Sequence, residues 1–201
     1  VTLRHFQEEL AQSSAANPGT TQVLLKGVCK RLASLVAQWQ SLGFIHGVLN
    51  TDNMLLCGET IDYGPCAFMD NYAADRVFSS IDSSGRYAYQ NQPGIVHWNL
   101  SVLAQCLLPL MHDDQEKALQ AAQHAVDLFP RQFTDTHGAL LARKFGLGSF
   151  RESDRELVDG FFKALSEGDL DFTLAFRWLT EVAGGNLDHT PLPELFKPSI
   201  A

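Results

Sequence analysis

The chain is short of positive charge. Across 201 residues, 15 Lys and Arg face 23 Asp and Glu, a formal net charge of −8. Its longest basic cluster is a dipeptide such as Lys30-Arg31. Nucleic acid and anionic membrane surfaces both select a cationic face, so neither is an expected partner. Long hydrophobic runs are also lacking. No apolar stretch reaches the roughly 18 to 20 residues that a membrane-spanning helix needs. The four cysteines, Cys29, Cys57, Cys66 and Cys106, are widely spaced and form no C-x-x-C pair. That argues against a zinc cage or disulfide framework and for buried or inert thiols in a reducing compartment. The opening "VTLRHFQEEL" has no signal-peptide layout and no initial Met, the form of a chain cut from a longer one. No internal repeat or low-complexity tract stands out.

What is present is ordinary globular material. Hydrophobic residues make up 45% and charged residues 19%, enough for one good-sized core or two small ones. From Thr20 to Leu42, apolar residues at Leu25, Val28, Cys29, Leu32, Leu35, Val36 and Trp39 follow helical spacing. "SSAANPGT" breaks the chain before this helix, and Gly43 stands where a helix terminates. "FIH" reads as a short strand. "NMLLC" and "TIDY" read as a hairpin joined across Gly58-Glu59. Pro65 to Gln92 is polar and turn-rich, the pattern of a functional loop.

Beyond Pro93 the chain reads as helical. "GIVHWNLSVLAQCLLPLM" is apolar nearly all round and expected to be deeply buried, with His97 and Trp98 in the core. Asp113 or Asp114 is placed to cap a helix through Phe129, Thr134 or Asp135 to open one to Phe145, and Ser153 to cap one through Leu165. A last helix is expected over Leu170 to Val182. The fold class is therefore mainly α with a small β-hairpin, organised as 1–183 followed by a Gly/Pro-rich exit segment, 184–201.

The chemistry concentrates in "HGVLNTDNMLLCGETIDYG", His46 to Gly64. His46 to Asn53 has the His-to-Asn spacing of the protein-kinase loop H-R-D-x-x-x-x-N, and Asp62-Tyr63-Gly64 stands where D-F-G would. Asn53 enters one strand and Asp62 ends the next, so their oxygens can converge on one ion. Few, hard oxygen ligands suit Mg²⁺, or Mn²⁺ in its place, shared with phosphate oxygens. The kinase pattern breaks at Val48, where the catalytic Asp belongs; the nearest carboxylate is Asp52. Turn chemistry alone could also account for "NTDN". His46 reads as a packed core histidine, Tyr63 as a packing residue, and Arg76 and Arg86 as loop residues open to phosphate, substrate or plain surface.

"HGVLNTDNMLLCGETIDYGPCAFMD" strongly resembles the selenoprotein O family of YdiU-type proteins. "ASLVAQWQSLGF", "GRYAYQNQPGIVHWNLSVLAQCL" and "DFTLAFRWL" extend the match over roughly Val1 to Thr180. The resemblance implies a protein-kinase-like large (C-terminal) lobe of a pseudokinase-fold protein adenylyltransferase. Such an enzyme moves AMP from ATP to Ser, Thr or Tyr hydroxyls of proteins. Carried over by position, Asp52 is the proton acceptor, Asn53 and Asp62 are the metal ligands, and Asp62 also lies against the ATP phosphates. The family's Gly-rich loop, Lys, acidic partner and Arg pair lie well upstream of this motif, and here only 45 residues precede His46. The small lobe is thus read as missing, and the chain as inactive alone. Cys66 takes the place of a usual Phe. Two other readings are a non-catalytic pseudokinase module that binds nucleotide or a partner, and an ordinary kinase. Bacterial cytoplasm or the mitochondrial interior suits the family.

Overall fold

The computed structural model describes residues 1–13 and 19–185. They are mainly helical, with one small antiparallel sheet. Helices α1 (Thr2–His5) and α2 (Gln7–Ser13) precede α3 (Thr20–Leu42). Strands β1 (Phe44–Ile45) and β2 (Ala67–Phe68) follow, then α4 (Gln92–Leu107), α5 (Gln115–Val126), α6 (Leu128–Lys144), α7 (Arg155–Glu167) and α8 (Phe172–Ala183). The exit segment expected over 184–201 lies outside the described residues from 186 onward.

Two compact units divide this material. The first comprises 1–37, 48–63 and 92–136; the second comprises 38–47, 64–91 and 137 onward.

In the first unit, α3 buries the expected stripe: Leu25, Val28, Cys29, Leu32 and Val36 are each at most 2% exposed. Gly27 leaves room for the ring of Phe6, which is fully buried; a Cβ there would lie 2.4 Å from it. Helix α5 packs on α4 and starts at Asp114, whose carboxylate accepts from the backbone N–H groups of Glu116 and Lys117. That satisfies two of the donors every helix start leaves open.

In the second unit, Gly43 takes φ +70° just past α3, a left-handed stop that glycine adopts without steric cost. The chain then enters β1, which pairs with β2 through Phe44 opposite Phe68 and Ile45 opposite Ala67. The core is aromatic. Ile45, Met69, Tyr89, Leu165, Phe172 and Phe176 are buried, with Tyr72, Phe145, Phe161 and Phe162 packed around them. The Phe161–Phe176, Phe145–Phe161 and Phe172–Phe176 centroids lie 5.0, 5.1 and 5.4 Å apart, within the range where tilted and edge-on pairs attract. Asp171 caps α8 by accepting from Leu174 N–H at 2.7 Å.

Several expectations are corrected. The two-stranded sheet is not the hairpin over 54–63. Its second strand is Ala67–Phe68, inside the segment read as a loop, and the hairpin is reduced to one bridge between Met54 and Thr60. No break occurs near Thr134. Helix α5 ends at Val126 and α6 begins at Leu128, because Pro130 falls in the first turn, where its missing N–H leaves no bond unmade. Helix α4 is not buried all round: Trp98 is 51% exposed, so the apolar pattern does not wrap into core on that side. His97 stacks on Phe129 at 5.6 Å, but its buried Nε2 has no hydrogen-bond partner among the described residues, unlike the satisfied core histidine expected. Helix α8 starts at Phe172 rather than Leu170, after Asp169 turns the chain at φ +48°.

Candidate functional site

Asp52 and Asn53 lie on a single 3₁₀ turn, Thr51–Asn53, that delivers the chain into the hairpin ribbon. Asp52 is exposed and Asn53 is buried. The Asn53 side chain spends its Nδ2 donor on the Val48 carbonyl at 2.9 Å, closing the preceding loop on itself. With the donor committed, Oδ1 is the side-chain atom suited to a cation.

The ribbon itself is slight. Leu55 N–H donates to the Glu59 carbonyl at 2.9 Å, Gly58 N–H to the Leu55 carbonyl at 3.0 Å, and Ile61 N–H to the Asn53 carbonyl at 3.0 Å. Gly58 takes φ +89° to make the reversal. These bonds put Asn53 opposite Ile61, and Asp62 one residue beyond. Asp62 is exposed, and its backbone sits at φ +64°, a region a non-glycine residue enters at a cost. Such a conformation turns the side chain out of the strand's ordinary alternation, and strain of this kind gathers at functional positions.

Tyr63 is 49% exposed, and its hydroxyl is 2.7 Å from that of Thr60. The expected packing residue is thus half covered, with its hydroxyl held in the ribbon. His46 is fully buried beside Trp39, ring centroids 5.7 Å apart, as a packed histidine should be. In the long segment, Arg76 donates to the Asn71 carbonyl at 3.3 Å, and Arg86 lies 5.8 Å from the Tyr87 ring. Asp82 organises that turn by accepting from the N–H groups of Arg86 and Tyr87. All four cysteines are free. Cys29 is buried and its thiol is pushed up to about 12 by desolvation, whereas Cys106 is exposed.

Among the described residues, no group of three or more His, Cys, Asp and Glu side chains gathers as a metal cage. The candidate donors on the ribbon are the Asn53 amide oxygen, at its last rung, and the Asp62 carboxylate, one residue past it. That fits an ion of the Mg²⁺ type, which is held by one or two protein oxygens and completed by water and substrate phosphate.

Two anchoring residues were not singled out from the sequence. Asn99 on α4 donates from Nδ2 to the Leu49 carbonyl at 2.9 Å and contacts Met54 Sδ, so it ties the loop before Asp52 to a helix. The available signal was a buried amide in a mainly apolar helical run, though His97, Ser101 and Gln105 share that run and dilute it. Arg31 reaches the ribbon from α3, donating to the Cys57 carbonyl at 3.3 Å. Nothing local in the sequence marks that contact.

The model of the family described as "Protein adenylyltransferase SelO" matches residues 2–192. A protein of Bradyrhizobium sp. (strain BTAi1), "Protein nucleotidyltransferase YdiU", is 53% identical over 174 residues, covering 87% of this chain and 35% of that protein. A protein of the same description from Rhodopseudomonas palustris (strain CGA009) is 50% identical over 198 residues, covering 98% of this chain and 39% of its own length. One from Bradyrhizobium diazoefficiens is 50% identical over 184 residues, 92% of this chain and 36% of its own. This mainly helical chain, with its acid-and-amide ribbon, therefore belongs to the SelO/YdiU family. It spans between 35 and 39% of the length of these three relatives.

Proposed function

We propose that these residues form the metal- and acceptor-side part of a protein adenylyltransferase, built as a protein-kinase-like large lobe. The reaction joins a Ser, Thr or Tyr hydroxyl oxygen of a protein to the α-phosphorus of ATP and breaks the bond to pyrophosphate, which leaves. Asp52, exposed on its turn just before the ribbon, accepts the hydroxyl proton. Asn53 and Asp62 would hold Mg²⁺, or Mn²⁺ in its place, and Asp62 would also bind the nucleotide. When bound, that ion offsets charge on the phosphate oxygens and favours departure of pyrophosphate.

The observation that carries this reading is the pairing of a committed amide with a strained carboxylate. Asn53 has its donor fixed on Val48, and Asp62 holds an αL backbone at the far end of a ribbon only a few bonds wide. Membership of a family whose model is described as an adenylyltransferase, and relatives described as protein nucleotidyltransferases, support transfer of a nucleotide rather than a phosphoryl group. Val48 supports it too, because an ordinary kinase places its catalytic Asp there.

Because the chain covers little more than a third of its relatives, we propose that the isolated 201 residues bind ATP poorly and do not transfer AMP. The grip on the nucleotide would come from a small lobe. The test is label transfer by the full-length protein. Asp62→Ala is expected to abolish Mg²⁺-dependent incorporation of α-phosphate label into protein, and γ-phosphate label should not be incorporated by either form. Incorporation of γ-phosphate would replace this reading with kinase chemistry. Nucleotide binding with no transfer of either label would leave the second reading, a non-catalytic pseudokinase module, which Val48 also favours.

A further inference from the structure

The ribbon that carries Asn53 and Asp62 is poorly supported from within. It has one bridge, Met54 with Thr60, and an isolated two-stranded ribbon is marginal in water at best. Nor does it rest on a filled core. A cleft of about 270 Å³ runs between the ribbon and two helices, lined by Val28 and Leu32 of α3, Met54 and Leu55 of the ribbon, and Leu100 and Leu103 of α4. Protein interiors hold few voids larger than a water molecule, so side chains facing such a cleft forgo much of the packing that would fix them. Asn99 touches the ribbon at Met54, near its base, which leaves the tip to a second anchor.

Arg31 is that anchor. One guanidinium nitrogen donates to the Cys57 carbonyl at the ribbon's tip, 3.3 Å away. The other donates to the Glu9 carboxylate at 3.0 Å and to the His5 carbonyl. The guanidinium carbon lies 4.1 Å from the centroid of the buried Phe6 ring. Arg31 is thus clamped by α1, α2 and the residue between them while it grips the tip. The ribbon comes as close as backbone allows: a Cβ on Gly58 would stand 2.4 Å from Arg31 Cβ. Glycine at 58 therefore serves the turn and the approach together. Arginine suits the role because its planar fork directs two sets of donors at fixed angles, which a lysine ammonium cannot do.

We infer that Arg31 is a positioning residue for the nucleotide–metal site: it fixes the tip of the ribbon to the N-terminal helices, and so sets where Asn53 and Asp62 stand. This rests on the reading of those two residues as metal ligands. It assigns the N-terminal thirteen residues a part in the site although they carry none of its ligands. Partners bonded directly to metal ligands change metal affinity by about 10- to 100-fold when removed, and Arg31, which touches neither ligand, is expected at the low end of that range.

The test uses the full-length protein with Arg31→Lys, and Glu9→Ala as a gentler second variant, in two measurements. Hydrogen exchange without metal reads the ribbon directly. The Leu55 and Ile61 amides should exchange about tenfold faster in R31K, while amides in the middle of α3 keep their wild-type rates. In AMP transfer, the Mg²⁺ concentration giving half-maximal rate should rise by about tenfold in R31K and about threefold in E9A, with the rate at saturating Mg²⁺ and the acceptor KM held within about twofold. If R31K does not fold, E9A is read in the same way. Wild-type ribbon exchange together with a wild-type Mg²⁺ midpoint overturns the inference, as does a loss of rate with an unmoved midpoint, the mark of a merely structural arginine. Wild-type protein whose transfer ignores Mg²⁺ overturns the ligand reading itself, and is distinguishable because faster ribbon exchange in R31K would still be seen.

Discussion

The unit formed by 38–47, 64–91 and 137 onward has an interior of interlocking rings, with Phe172 and Phe176 at its centre and Lys144 laid over both at 4.7 and 4.0 Å. Burial lowers the Lys144 ammonium to about 8, and its Nζ still donates to the Ser41 carbonyl near the end of α3. The unit formed by 1–37, 48–63 and 92–136 is held differently. Its interior is mainly aliphatic and alanine-rich, with Leu25, Leu32, Ala118, Ala122 and Ala125 buried beside two separate rings, Phe6 and Phe129. Its chemistry-bearing segment hangs on single polar contacts from Asn99 and Arg31. The difference separates two jobs. Aromatic packing gives stability that is dense and hard to perturb, whereas a few directed bonds hold a segment in place while leaving it low in local stability, where moving and binding parts are found.

The sharpest break in that comparison is Phe172→Ala, which removes a fully buried ring and should cost about 3–5 kcal/mol in urea unfolding. A loss below about 1 kcal/mol would show that the aromatic cluster is not what stabilises its unit.

The pH response should divide the units next. In the second unit, burial lowers His137 from 6.5 to about 4. The unfolded chain therefore takes up a proton first as the pH falls, and stability is lost between about 6.5 and about 4. In the first unit, the unfolded Cys29 thiol ionises near 9 while the folded one holds its proton to about 12, so stability is lost as the pH rises through that window. His137→Gln should flatten the acid arm and Cys29→Ala the alkaline one, read as unfolding midpoints against pH. Arms that survive both substitutions would assign the pH dependence elsewhere.

Smaller effects refine the contrast. Asp114→Ala and Asp171→Ala each remove a helix-start acceptor, one in each unit, and should each cost about 1 kcal/mol in thermal unfolding. Asp62→Gly should change stability by less than about 1 kcal/mol, because glycine accepts φ +64° without strain but loses more chain entropy. On the proposed reading, AMP transfer by the full-length protein should nonetheless vanish in D62G, separating the cost of the conformation from its use.

Much of this was legible in the sequence where the signal is local. Helix α3 runs from Thr20 to Leu42 as its apolar spacing and Gly43 demand, and Asp114 caps the helix it precedes. The family was legible in "HGVLNTDNMLLCGETIDYG" and its flanks, and the family match extends over 2–192. What could not be read depends on distant partners. Strands β1 and β2 are two residues each, too short for alternation to register, and pair across the whole ribbon. Arg31 meets Cys57 26 positions away, and Lys144 meets Ser41 across 103. The helix boundary expected after Phe129 misses α6, because a proline at 130 is tolerated once the helix begins two residues before it.

The most direct measurement is the anomalous diffraction signal of Mn²⁺ in crystals of the full-length protein grown with a non-hydrolysable ATP analogue. One Mn²⁺ peak should lie about 2.0–2.3 Å from both Asn53 Oδ1 and an Asp62 carboxylate oxygen, with phosphate oxygens completing the shell. A Mn²⁺ peak bound to the phosphates but touching neither residue, or only one of them, would contradict the account.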